Sequence, residues 1–269
     1  MKEYFLSSFK NPIFKKFRKL KSRKEREKEG LFLIEGKILV RDALFWHYSF
    51  FALLLKEGLA IDDYLDVEDI NYLKEMNIPI YRLTEDLYPL LFQVKTVQGI
   101  GAVLFKKEFF LQDFPATKNY STVFLLDDIQ DPGNLGSIFR ISKAFEVAGC
   151  FLGSKCCDPY NLKVIRGSMG AIFSLPFIFM DLKEALLYLK KKGYMIVGTV
   201  PSQGVSLFNY SFKKKKVAFI LGNEATGISA CLKDFIDVFL TIPISIESLN
   251  VAITGSIFLY EFKRQSLGK

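Results

Sequence analysis

Histidine and cysteine, the residues of zinc sites and of thiolate or imidazole chemistry, are sparse in this chain. His47 is the single histidine, and Cys150, Cys156, Cys157 and Cys231 include no CxxC pair. A Cys/His zinc site is therefore disfavoured and no metal is expected. Vicinal Cys156-Cys157 has two readings, a redox pair or plain reduced cysteines, and the second is favoured because free cysteine is usually buried. Asp127, Asp128 and Asp131 offer carboxylates for magnesium, or they form a turn. Gly133-Asn-Leu-Gly136 could cradle a phosphate, but it matches neither the P-loop nor GxGxxG. A dinucleotide site fits poorly, and without a nucleotide-phosphate loop the aspartates read as turn formers. Lys15, Lys16, Arg18, Lys19, Lys21, Arg23, Lys24, Arg26 and Lys28 form a dense cationic run, punctuated by Phe14, Phe17 and Leu20 at helical spacing. The run is either a solvated amphipathic helix or a phosphate-contacting arm. Lys213-Lys-Lys-Lys216 reads as a solvated loop.

The elements that must position such groups follow from composition and pattern. At 269 residues, half of them apolar, the chain can build a large core and two domains. A net charge of +8 favours an acidic partner such as nucleic acid or an anionic membrane. The high Phe, Lys and Ile content also suits an AT-rich genome, which would raise Lys without functional meaning. The N-terminus is charged and lacks an apolar signal region, and the apolar run 43–55 falls short of the ~20 residues of a membrane span. A cytoplasmic protein without membrane association is expected.

Strand and helix signals alternate in the first part: a strand at 30–36, a helix at 37–46, a strand at 50–56, a helix at 68–76, a strand at 78–82, a helix at 85–92 capped by Thr84, and a strand at 96–105. The mixed stretch 106–120 marks a boundary, giving domains 1–112 and 120–269. In the second, Thr122–Asp127 is a buried strand and 135–147 a helix with Asn134 at its N-cap. Strands at 150–153, 177–179, 194–200, 217–221 and 238–242 and helices at 161–169, 182–192 and 228–235 continue the pattern. A closing helix runs from Glu247-Ser-Leu-Asn250 to Phe262, capped by Ser248 or Asn250, and small Ala252, Gly255 and Ser256 imply close approach of another backbone. A mostly parallel sheet covered on both faces follows. Its ligands bind beyond the carboxyl ends of the strands, which singles out the loops 128–134, 201–204, 222–227 and 243–247.

Taken in order, Asn134-Leu-Gly-Ser-Ile-Phe-Arg140, Leu221-Gly-Asn-Glu-Ala-Thr-Gly227 and Ile242-Pro with Glu247-Ser-Leu-Asn-Val251 resemble the three motifs of the SpoU (TrmH-like) RNA 2′-O-ribose methyltransferases. Lys163-Val-Ile-Arg-Gly-Ser-Met-Gly170 is similar to a further segment of that family. Residues 22–105, with Arg23, Gly30, Glu35-Gly36 and Gln98-Gly99, resemble its N-terminal RNA substrate-binding domain, itself similar to a ribosomal protein. The resemblance implies an α/β trefoil-knot methyltransferase domain behind a smaller α/β RNA-binding domain. It implies S-adenosylmethionine held bent in the knot, and a homodimer with its active site at the subunit interface. Cofactor contacts would come from Thr199, Val200, Gly222, Asn223, Ile242 and Leu249. Asn134, Arg140, Glu224, Ser248 and Asn250 would face the reaction centre, and Arg18, Arg23, Lys24, Arg26 and Arg166 are the candidate RNA contacts.

The implied reaction moves a methyl group from a sulfonium to a ribose 2′-hydroxyl in structured RNA, with rRNA favoured over tRNA. With His47 outside the catalytic domain, imidazole is not the base, and a guanidinium is essentially never deprotonated. Arg140 is expected to bind a phosphate and the 2′-oxygen while phosphate or water takes the proton. Its neighbours Ile138, Phe139 and Ile141 suggest a low dielectric that strengthens the pairing. Glu224 is expected to orient Arg140 or Asn134. Two departures from the family pattern stand out: a short Ile242–Ser248 segment lacking a glycine turn, and Asp128 where a small or amide residue is common. The short segment leaves room for a rival reading, a catalytically inactive RNA-binding protein of ribosome assembly on the same fold, against which Asn134, Arg140, Glu224, Ser248 and Asn250 argue. A small-molecule methyltransferase is disfavoured by the basic N-terminal segment.

Overall fold

Every residue of β6 (Ser121–Leu126) is buried, and around it a parallel sheet assembles. The computed structural model describes residues 1–92, 97–114, 121–213 and 215–267. The expected strand start at Thr96, the boundary residues 115–120 and Lys214 lie outside them. By contacts the chain divides into one unit of Met1–Lys107 with Tyr160–Phe173 and another of Glu108–Pro159 with Ser174–Lys269.

The first unit carries β1 (Glu3–Leu6), β2 (Leu31–Glu35), β3 (Phe50–Lys56), β4 (Ile80–Leu83) and β5 (Ile100–Phe105), in the order β1-β4-β3-β5-β2. β1, β4 and β3 run parallel, and β5 is antiparallel to both β3 and β2. Helices α1 (Pro12–Lys19), α2 (Arg23–Glu29), α3 (Lys37–Phe45), α4 (Val67–Glu75) and α5 (Tyr88–Phe92) complete the expected series. The basic N-terminal segment is not a free arm. Asn11 caps α1 through its side-chain oxygen, and Phe14, Phe17 and Leu20 are sealed into a core with Leu33, Leu54 and Leu91. Burying those rings removes enough apolar surface to hold the cationic helix down. The expected helix 85–92 is shorter, because Thr84 bonds the Asp86 carboxylate instead of capping the following amides. Residues Tyr160–Phe173, with α7 (Leu162–Ser168), belong to this unit. The Tyr160 ring lies 4.6 Å from Phe32 and the Phe173 ring 4.9 Å from Tyr48.

The second unit adds β7 (Gly149–Leu152), β8 (Phe177–Phe179), β9 (Met195–Thr199), β10 (Val205–Ser206), β11 (Lys216–Leu221) and β12 (Val238–Thr241), with α6 (Pro132–Ala144), α8 (Leu182–Lys191) and α9 (Val251–Leu267). The order is β10-β12-β9-β11-β6-β7-β8, and all pairs are parallel. One face packs Val123, Leu125, Ile196 and Ile220 under Leu186 and Leu189 of α8. On the other, Phe219 meets Phe124, Phe258 and Phe262, with centroids 6.3, 5.6 and 6.2 Å apart. A Cβ on Gly255 would approach side-chain carbons of Leu221, Ile141 and Phe124 to 3.2–3.3 Å, so α9 is tightly packed there by side chains and not by the backbone its small residues suggested.

Candidate active site

From β6 the chain proceeds to β7 and β8 on one side, while β11 and β9 lie on the other. The switch point is therefore between β6 and β11, where doubly wound sheets open a crevice. Two ties join the loops there. Asp127 accepts from the Ser229 amide (2.7 Å) and hydroxyl (3.1 Å), and the Asn223 side-chain amide donates to the Asp128 carbonyl (3.0 Å).

Helix α6 starts at Pro132, three residues earlier than its expected start at Leu135. Asp131, not Asn134, is its N-cap, accepting from the Asn134 amide at 2.9 Å. Pro at the first helical position needs no hydrogen-bond acceptor and has its φ already set. The shift frees the Asn134 side chain. Its Nδ2 donates to Glu224 Oε1 at 2.8 Å, and its Oδ1 accepts from Asn250 Nδ2 at 2.8 Å. Asn250 Nδ2 also lies 3.3 Å from Glu224 Oε1. Asn250 Oδ1 accepts from the amides of Ala252 and Ile253, so this residue caps α9 while joining the cluster. The closing helix consequently starts at Val251, past the Glu247 expected from the sequence.

Beside Glu224, the loop after β11 folds back on itself. Asn223 and Gly227 exchange both backbone hydrogen bonds, and Asn223 Oδ1 accepts from the amides of Ala225 and Thr226. A Cβ on Gly222 would fall 2.5–2.6 Å from Gly227 backbone atoms and the Ile228 amide, closer than any side chain tolerates.

This loop walls a cavity of about 380 Å³, within the range of roughly 300–1,000 Å³ typical of small-molecule sites. All six residues expected to hold the cofactor line it: Thr199, Val200, Gly222, Asn223, Ile242 and Leu249. The side chains of Thr199 and Asn223 are spent on the scaffold, Thr199 Oγ1 donating to the Ile220 carbonyl. Glu224 and Ser248 reach the wall, whereas Asn134 and Asn250 stand beside it. The short segment does not close the site, since Ile242, Ile244, Glu247 and Ser248 all face the cavity. Sequence reasoning missed Lys233, Thr254 and Phe258. For the last two a signal existed, because Val251, Thr254 and Phe258 repeat at helical spacing on one face of α9.

Two further expectations need correction. Arg140 is exposed on α6, and it makes no hydrogen bond or ion pair among the described residues. It does not sit in a low dielectric, because the helix turns its apolar neighbours Ile138 and Phe139 inward and Arg140 out. Of the two partners expected for Glu224, the structure gives Asn134, together with Asn250. Arg26, offered as an RNA contact, is only 3% exposed. Its Nη1 donates to the carbonyls of Leu20 and Lys21, both at 2.8 Å, and closes the turn between α1 and α2.

The other cations remain on the surface. Arg18 and Lys24 are exposed, Arg23 pairs with Glu27 at 2.7 Å, and Arg166 on α7 reaches the Phe92 carbonyl at 3.3 Å. Burial raises the Cys156 thiol to about 11 and the Cys157 thiol to about 12. Both are therefore protonated near neutral pH and unsuited to thiolate chemistry.

Comparison with known proteins places this geometry in context. Residues 121–260 match the SpoU rRNA Methylase family, and residues 11–102 match the MRM3-like substrate binding domain. The chain is 33% identical over 260 residues to the 23S rRNA (guanosine(2553)-2′-O)-methyltransferase RlmP of Bacillus subtilis (strain 168), covering 96% of this chain and 98% of that protein. An rRNA methyltransferase structure from Sinorhizobium meliloti aligns with a TM-score of 0.88 at 25% identity over 98% of each chain. The SpoU methyltransferase AviRb from Streptomyces viridochromogenes, in complex with the cofactor AdoMet, aligns with a TM-score of 0.83 at 25% identity, over 96% of this chain and 99% of that one.

Proposed function

The chain belongs to the SpoU rRNA methylase family, and from that premise we propose how it works as an RNA ribose 2′-O-methyltransferase. Its methyl donor is S-adenosylmethionine and its preferred substrate is ribosomal RNA. One observation carries this reading: a cavity lined by all six expected cofactor residues adjoins the Asn134–Glu224–Asn250 cluster.

The residues present fit the cofactor. Ile228, Ile242, Leu249 and Phe258 give apolar surface for a base and for the carbons beside a sulfonium, and the missing Cβ of Gly222 lets the loop after β11 fold tightly to form the wall. Lys233 and Glu247 bring opposite charges, which suit a zwitterionic amino-acid end. When bound, S-adenosylmethionine supplies an electrophilic methyl group on a cationic sulfonium. The protein's part is to hold the acceptor ribose in line and to direct its proton. Glu224 Oε1 is engaged by the two amides, which fixes the carboxylate and leaves Oε2 to accept a hydrogen bond from the incoming hydroxyl. Positioning of this kind is a major source of rate in group transfer.

Exposed Arg140 then serves the phosphate of the substrate from the surface of a homodimer. Ile246, Ile253 and Tyr260 form exposed apolar surface suited to the subunit contact. The second unit, with the C-terminal segment knotted beneath the 222–228 loop, performs the chemistry, and the first unit binds substrate in the cytoplasm.

Isothermal titration with S-adenosylmethionine tests the reading. Saturable binding at one site per chain, abolished by Gly222→Ala, is expected. Absence of binding to the folded protein would instead mark an inactive RNA-binding member of the family.

A further inference from the structure

On one face of the first unit's sheet, aromatic rings run in strand order across β5, β3, β4 and β1. Phe105 lies 5.9 Å from Phe51. Phe17 of α1 bridges Phe51 and Tyr81, at 6.1 and 5.4 Å. Tyr81 is stacked on its register partner Tyr4, with centroids 5.2 Å apart and planes at 21°. Buried Phe17 covers the middle of the row, and the row opens to solvent at its ends. Here the two terminal rings, Tyr4 and Phe105, are each 44% exposed.

The surroundings are cationic. Helix α1 presents Lys15, Lys16, Arg18 and Lys19 and carries no acidic residue. Lys16 Nζ stands 4.9 Å from the Phe51 ring centroid. Nearby Glu3 and Glu29 are each ion-paired, with Arg82 at 2.7 Å and Lys16 at 2.9 Å. Part-exposed rings bordered by the exposed cations Lys15, Arg18 and Lys19 suit unpaired nucleotides, the bases stacking and the phosphates meeting the charge. A duplex, with its bases already stacked, gains little from such rings. A basic or apolar peptide would gain nothing from the cations. β1, which supplies Tyr4, precedes the segment matched to the substrate-binding domain, residues 11–102.

We propose that Tyr4 and Tyr81, with Phe105 and the cations of α1, form a stacking platform for unpaired nucleotides of the RNA substrate. The proposal rests on the RNA-modifying reading above and names how single-stranded segments next to the target are held.

The test uses the full chain and a fluorescein-labelled 12-nucleotide oligouridine, read by anisotropy, with a duplex of the same length as control. Wild type is expected to prefer the single strand. Tyr4→Ala should weaken it at least about fivefold, the lower end of the loss for one stacked base. Tyr4→Phe should retain binding, since the ring and not the hydroxyl carries the contact. Tyr4 is half outside the fold, so circular dichroism of Tyr4→Ala should match wild type. If that variant does not fold, Phe105→Ala substitutes for it, with the same expected loss.

Unchanged affinity of a folded Tyr4→Ala or Phe105→Ala variant would overturn the platform, as would equal affinity of wild type for duplex and single strand. These readouts do not involve methyl transfer. Wild type that methylates rRNA while the ring variants bind normally would sink the platform alone. Ring-dependent binding without cofactor binding would sink the proposed reaction alone.

Discussion

At the residue scale, Asn134 is the hinge of the account, because it joins Glu224 and Asn250 without lining the cofactor cavity. Asn134→Ala should lower the single-turnover methylation rate by about 100-fold, the scale of a small loss of alignment. Its affinity for S-adenosylmethionine should stay near wild type by calorimetry. A wild-type rate would remove the cluster from the reaction.

A second residue makes a claim about pH. Burial pushes the Glu35 carboxyl above its ordinary range, against the pull of the Gln98 amide and Arg166. A raised folded value means that the folded state holds the proton more tightly. Stability from this group is therefore greatest below the unfolded value and falls as pH rises through the folded one. Glu35→Gln should melt higher than wild type above that window and show no gain at more acidic pH. Thermal melts across pH decide it, and a lower melting temperature for the variant at pH 8 would contradict the assignment.

At the element scale, the loops after β6, β11 and β12 matter more than the strands. Asp131→Ala should destabilise the protein by about 1 kcal/mol, the typical contribution of an N-cap, and should slow catalysis by loosening Asn134. A denaturation midpoint and a turnover assay on the same variant check both, and unchanged values would reassign the cap. The sheet was largely legible in the sequence, since the buried apolar runs 122–127 and 217–221 leave few alternatives to parallel strands. The cavity was legible because its walls are strand-end loops and ordered motifs. The start of α6 was misjudged because Asn134 and Asp131 are both good caps, and only the fold shows that Pro132 is already helical. The surroundings of Arg140 were misread because apolar neighbours in sequence point elsewhere on a helix. Burial of Arg26 was hidden for a similar reason, since a cation in a basic run gives no sign of the carbonyls it serves.

At the scale of the whole molecule, a chain of net charge +8 combines a second unit whose sheet can hold a small cofactor with a first unit whose helix α1 is wholly basic in its charges. No helix among the described residues is long and apolar enough to cross a membrane. The central claim is methyl transfer to a ribose hydroxyl of rRNA. The most direct measurement incubates the purified protein with isotopically labelled S-adenosylmethionine and unmodified ribosomal RNA, followed by digestion and mass spectrometry of the nucleosides. The label should appear in a single 2′-O-methylated nucleoside and should be strongly reduced with Asn134→Ala. Label on a base, or none at all from a protein that binds both cofactor and RNA, would contradict the account.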